Sequence, residues 1–257
     1  MAPRKLRPGL RLDELTRIDD PDDPDAPETY WGRAWMHVKK HDSDNPYLIA
    51  NELICCRLAA AVGLPVLPGE VARDQDGATY WAVPGVGSEG GIPVPPVSAH
   101  DIALAQMQVV AGMIVFDSWV NNTRRRADNV VYDERLGVWL VDHEYSLAQP
   151  HGRAFTEKPD DEALAPLGWH EFADEAIDKD LLRFWEQRVR TLSAHVIGRP
   201  LLEANQRGLI TQKQQSWLAK YLLARRDRIV SLVPSVNAPP EPEFTRPVLR
   251  LVPDTLF

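Results

Sequence analysis

Residues 85–98, GVGSEGGIPVPPVS, divide the chain into two kinds of sequence. A run so dense in Gly and Pro cannot be the inside of a helix or of a central strand: Gly costs backbone entropy there, and Pro has no N–H to donate. It reads as a linker. Before it, apolar residues fall into short strand-like runs and one helix. After it, helical periodicity takes over. A chain divided in this way is expected to be α+β, with a small β-rich lobe and a larger helical lobe enclosing a cleft where a ligand sits. Its 257 residues are enough for two such closely packed lobes.

The expected organisation follows from these patterns. Residues 1–28 form a flexible N-terminal arm, basic at first and then acidic in DDPDDPDAPE; 29–84 form the N-lobe, and 85–97 the linker. Residues 98–233 form the helical C-lobe, and 234–257 a Pro-rich tail ending near VLRLV, a segment suited to a sheet edge or a partner. Within the N-lobe, TYWGRAWMHVKK predicts a strand with Lys39 near its end. A helix follows from about Tyr47 to Val62, stopped by GLP. VLPGEVA and TYWAVPG predict two strands around the turn RDQDGA. SAHDIALAQMQVVAGMIVFDSWV predicts a long helix with Ser98 as N-cap. Then come the strands NVVYDE and VWLVDH, and a mostly helical stretch over 159–233.

Composition narrows the function classes. A net charge of −8 argues against broad binding to a nucleic-acid backbone. Apolar runs such as MQVVAGMIVF are about half the length that a membrane span needs. No charged n-region with a long apolar h-region opens the sequence. Cys55 and Cys56 are adjacent within an apolar helical pattern, which predicts buried reduced thiols and a cytoplasmic setting.

The polar residues that stand out are those phosphoryl transfer needs: hard oxygen ligands for a metal, a cation for the phosphates and a group to orient the nucleophile. Lys39 lies on a strand, and Glu52 follows thirteen residues later on the next helix. Asn129 opens one short strand and Asp142 closes its partner, so a hairpin would bring an amide and a carboxylate to one magnesium ion. His37 and His41 are four apart but begin on a strand, where they need not share a face.

Two segments, NPYLIANELICCRLAAAVGLPVLPGEV and FDSWVNNTRRRADNVVYDERLGVWLVDHEYSL, together resemble the HipA-like kinases, in which NELLAARLARALGLPVP is followed by FDxWIxNxDRHxGNLL and LWLIDHG. The likeness extends over about residues 30–233. It implies a two-lobed protein kinase-like fold with an ATP–magnesium cleft. By position, it makes Lys39 the phosphate-binding lysine and Glu52 its partner, and Asn129 and Asp142 the metal ligands. It places the strand from Trp81 through Val83 to Val86 against adenine. It also implies a protein substrate or protein partner.

Two departures from that pattern bear on activity. The catalytic Asp, five residues before the metal-binding Asn, falls on Arg124, whose guanidinium stays protonated and cannot act as a base. The small-residue phosphate loop is replaced by DDPDDPDAPETYWG. Arg124 could still stabilise phosphate charge, and Asp128 is the first substitute for the missing carboxylate, followed by Glu144 and Asp117. Three activities therefore stand open: phosphotransfer to a protein or small molecule at a reduced rate, partner binding by a pseudokinase, and nucleotidyl transfer (AMPylation) from ATP.

Overall fold

The computed structural model describes residues 12–19, 27–41, 43–85, 98–133, 137–147 and 162–237. Its most deeply buried N-terminal element is helix α1, Leu48–Val62. Gly63 ends the helix at φ +86°, and its N–H returns to the Ala59 and Ala60 carbonyls, a left-handed cap that a residue without Cβ adopts freely. α1 is apolar almost all round and is buried on nearly every face, as such a helix must be. Against it lies an antiparallel sheet in the order β3-β5-β4, where β3 is Met36–Lys39, β4 Glu70–Arg73 and β5 Thr79–Pro84. The β4–β5 turn is closed by Asp74, whose Oδ1 accepts the N–H groups of Asp76 and Ala78 at 3.1 and 2.8 Å.

The strand expected over 29–40 is two strands. β2, Tyr30–Ala34, turns away at Trp35 and pairs with β1, Leu12–Arg17, in a separate two-stranded sheet. Leu12–Arg17 is therefore a strand and not part of a flexible arm. Its order comes from a partner some fifteen residues away, which local pattern does not reveal. Residues 1–11 and 20–26, the linker 86–97 and the tail from 238, with VLRLV, lie outside the described residues.

The second half opens with α2, Ala99–Val120, capped as expected by Ser98, whose side chain accepts the Asp101 N–H. By length and composition alone α2 would serve as a membrane span. In the fold its C-terminal half, Val110–Val120, is buried in the protein core. Hairpin β6–β7 (Val130–Asp133, Gly137–Leu140) follows. Helices α3 (Lys179–Arg190), α4 (Ala194–Gln206), α5 (Gln212–Asp227) and the short α6 (Ile229–Leu232) complete the C-lobe. Regular helix begins at Lys179, not near 159. Residues 162–178 are turns, with one 3-10 turn at Glu171–Asp174, because Pro166 and Gly168 interrupt the pattern.

The two lobes share one apolar core that runs from Leu48 on α1 through Phe116 and Trp119 on α2 to Leu222 on α5. α1 of the N-lobe also packs on α4 of the C-lobe, with Arg57 reaching both Glu70 and Glu203. Trp119 donates from Nε1 to the Leu222 carbonyl at 2.9 Å and so pins α2 to α5. Arg225 on α5 is fully buried and spends its guanidinium on the Ser118, Trp119, Ala163 and Ala165 carbonyls. A cation there satisfies the last carbonyls of α2 and complements the helix dipole.

Candidate active site

Position in the sheet sets the first part of the site. In the β3–β5 register, Lys39 stands opposite Trp81 and His37 opposite Val83, so these four share one face. That face lines a cavity of about 350 Å³, closed from the other side by Val66, Leu67, Ile102, Val131 and Leu140. Trp81 and Val83 thus form part of the cavity wall. Val86 is outside the described residues. The Trp81 indole packs directly on Gly69, where any Cβ would collide with it.

The second part comes from the hairpin. Val66 bridges to Leu140, with Leu140 N–H donating to the Pro65 carbonyl at 2.8 Å and Leu67 N–H to the Leu140 carbonyl at 3.2 Å. This seam brings the end of β7 under the sheet. Asp142 then adopts φ +64°, a left-handed backbone that Asp tolerates better than most residues.

There Lys39 Nζ donates to Glu52 Oε1 at 2.8 Å, Asp142 Oδ1 at 2.6 Å and Glu144 Oε2 at 3.2 Å. Asn129 Nδ2 donates to the other Asp142 oxygen at 2.5 Å. All four residues that spacing singled out are therefore in one cluster, and Glu144 joins them. Burial alone would lower Lys39, but the charges of Glu52 and Asp142 outweigh it and hold the ammonium above its ordinary range. Burial would likewise raise Glu52. The hydrogen bond from His143 and the charge of Lys39 prevail and hold it down to about 2. Burial, with Asp142 nearby, pushes Glu144 up.

Beneath this cluster is a support that spacing did not reveal. Asp117 and Arg125 are completely buried and paired, with Arg125 Nε on Asp117 Oδ2 at 2.8 Å and Nη2 on Oδ1 at 3.2 Å. Asn122 Nδ2 and His170 Nε2 lie 3.2 Å from the same carboxylate. Burial would raise Asp117, yet Arg125 and His170 hold it well below the usual carboxylate range. Asp117 is thus closed off as a substitute base. Nη1 of Arg125 goes on to the Asn129 carbonyl at 2.8 Å and to the Val141 carbonyl. One guanidinium therefore holds the backbone of Asn129 itself and of Val141, the residue before Asp142. The signal that could have found it is Asp117 itself, a carboxylate inside the apolar run MIVFDSWV, which must be paired if buried.

Arg124 and Asp128 are exposed at the mouth. The Arg124 guanidinium lies 4.0 Å over the Tyr145 ring, and the Arg124 backbone N–H donates to Asn122 Oδ1 at 3.2 Å. Asp128 sits on the 3-10 turn Ala127–Asn129, tethered by the Ala127 N–H to Glu171 Oε2 at 3.1 Å. Of the acidic segment and the strand after it, the described residues Asp19, paired with Arg17, and 27–34 do not line the cavity, and residues 20–26 lie outside the described residues.

The donor set fits a hard divalent cation: Asp142, Glu144 and Glu52 bring carboxylate oxygens within 4.8 Å of one another, and Asn129 adds an amide. His143 lines the cavity and is buried, and its Nε2 has no protein partner among the described residues, a polar atom for a ligand to satisfy.

No protein-family model matches the sequence, and no curated protein matches it significantly. Solved structures do. The proinflammatory kinase CtkA of Helicobacter pylori is 11% identical, and the superposition covers 77% of this chain and 91% of CtkA at a TM-score of 0.50. HipA from the Shewanella oneidensis MR-1 toxin–antitoxin complex with HipB and operator DNA is 14% identical, covering 91% of this chain and 67% of HipA at a TM-score of 0.49. The likeness to CtkA is one of fold: the chain has a kinase-like α+β fold. In this kinase-like fold, sheet β3-β5-β4 and α1 supply the Lys39–Glu52 side of the cleft, and hairpin β6–β7 supplies Asn129 and Asp142.

Proposed function

We propose that the chain binds ATP with magnesium in this cleft and transfers the γ-phosphoryl group to an acceptor. The observation that carries this reading is Lys39, bonded at once to Glu52 and Asp142 at the mouth of an apolar cavity. A fixed ammonium beside carboxylate oxygens is how phosphate charge is positioned and neutralised. Trp81 and Val83 hold the base in the apolar part. Lys39 binds the inner phosphates, with Glu52 keeping it in place. Asn129, Asp142 and Glu144 hold the ion, which when bound neutralises charge on the phosphates and aligns them. Arg124 and Asp128 face the acceptor side, the first as a fixed positive charge and the second as a carboxylate that orients a nucleophile.

Calorimetric titration of ATP with and without magnesium tests this. Wild type is expected to bind with magnesium, and Asp142→Ala to lose the magnesium-dependent part, a drop of at least tenfold in affinity. Absence of binding by wild type overturns the reading. Mass spectrometry of acceptor and protein after incubation then separates phosphate from adenylate addition.

A further inference from the structure

The position five residues before Asn129 holds a cation that the fold has built into place. Thr123 N–H donates to the Tyr145 carbonyl at 3.3 Å, Arg124 N–H to Asn122 Oδ1, and the guanidinium stacks on Tyr145. Arg124, Arg126, Asp128 and Tyr145 line one pocket with Asn129, Asp142 and Glu144. This pocket adjoins the nucleotide cavity, since Asp128 and Asp142 line both. It is where an acceptor must enter.

The carboxylates around it are mostly committed. Asp117 is closed by Arg125, Asn122 and His170, and Asp142 and Glu144 are bonded to Lys39. A hydroxyl acceptor has to lose a proton during transfer. An acceptor that is already an anion does not, and a guanidinium binds such a group through parallel N–H donors.

Resting on the phosphotransfer reading above, we infer that the acceptor is a small anion, a phosphomonoester or a carboxylate, held by Arg124 with Arg126. An oxygen lone pair of the anion forms the new bond to the γ-phosphorus, and the bond from that phosphorus to the β–γ bridging oxygen breaks. The electron pair leaves with ADP. No proton moves, and the product is a phosphoanhydride or an acyl phosphate. Arg124 offsets the charge repulsion between two anions, which is the main obstacle to such a step.

The test uses the full chain loaded with ADP and magnesium and three probes of similar size: phenyl phosphate, benzoate and benzyl alcohol. One of the two anions is expected to bind by calorimetry and the alcohol not. Affinity for that anion is expected to fall at least tenfold in Arg124→Ala and severalfold in Tyr145→Leu, and to stay unchanged in Arg190→Ala, on α3 outside the pocket. With ATP, phosphorus NMR is expected to show phenyl diphosphate, or hydroxylamine to trap benzoyl phosphate, which tells the two sources apart. Failure of both anions to bind overturns the inference, as does phosphorylation of benzyl alcohol that Asp128→Asn abolishes, since Asp128 then serves a hydroxyl. The ATP titration described above is independent of these probes. ATP binding without anion binding sinks this inference alone, whereas loss of ATP binding sinks both.

Discussion

Arg125 contributes as much to this site as any residue that faces the cavity. It is the middle member of an RRR run whose neighbours are exposed, yet it is completely buried against Asp117. Removing one member of a buried pair leaves the other charge without compensation, which typically costs about 3–5 kcal/mol. Arg125→Met is therefore expected to lower unfolding stability by about that much in urea titration, whereas Arg124→Ala, at an exposed position, changes it by about 0.5 kcal/mol or less. Equal effects at the two positions would contradict the assignment. Arg125→Lys is expected to fall between them, because an ammonium cannot make the forked contact to Asp117 and still reach two carbonyls. That Lys39, Glu52, Asn129 and Asp142 lie close together was legible in the sequence because spacing and element ends carry their positions. Arg125, His170 and Tyr145 were not, since their partners are brought close only by the fold: Asp117 and His170 are 53 residues apart.

At the scale of elements, legibility tracks local chemistry. The ends of α1 and α2 were fixed by Gly63 and Ser98, and the β4–β5 turn by Asp74 and Gly77, all within a few residues of what they control. The break at Trp35 and the pairing of Leu12–Arg17 were not legible, because they depend on which sheet each strand joins. The close approach of Gly69 to Trp81 links an element boundary to the cavity wall. A methyl group at 69 has no room and must displace the indole, and overpacking of this kind costs about 1–3 kcal/mol. Gly69→Ala is expected to shift the tryptophan emission and weaken ATP binding severalfold. Unchanged emission with unchanged affinity would show that the wall yields without moving Trp81.

Over the whole molecule, the Gly- and Pro-rich run separates two lobes in sequence, but the folded lobes do not have separate interiors. α1 is enclosed by its own sheet and by α4, and the same apolar cluster continues to α5. Unfolding is therefore expected to be one cooperative transition, with tryptophan fluorescence and far-ultraviolet dichroism giving coincident curves in urea. Two resolved transitions would show that the lobes are independently stable. The way Arg125 holds the hairpin has one more consequence, for variation among chains of this kind. It takes the carbonyls of Asn129 and Val141, which flank the Val130–Leu140 pair, and so grips β6–β7 by its two feet. Insertions or deletions at the far end of the hairpin leave that grip untouched. Its length is free to drift over evolutionary time while the Asn129 and Asp142 side chains stay side by side.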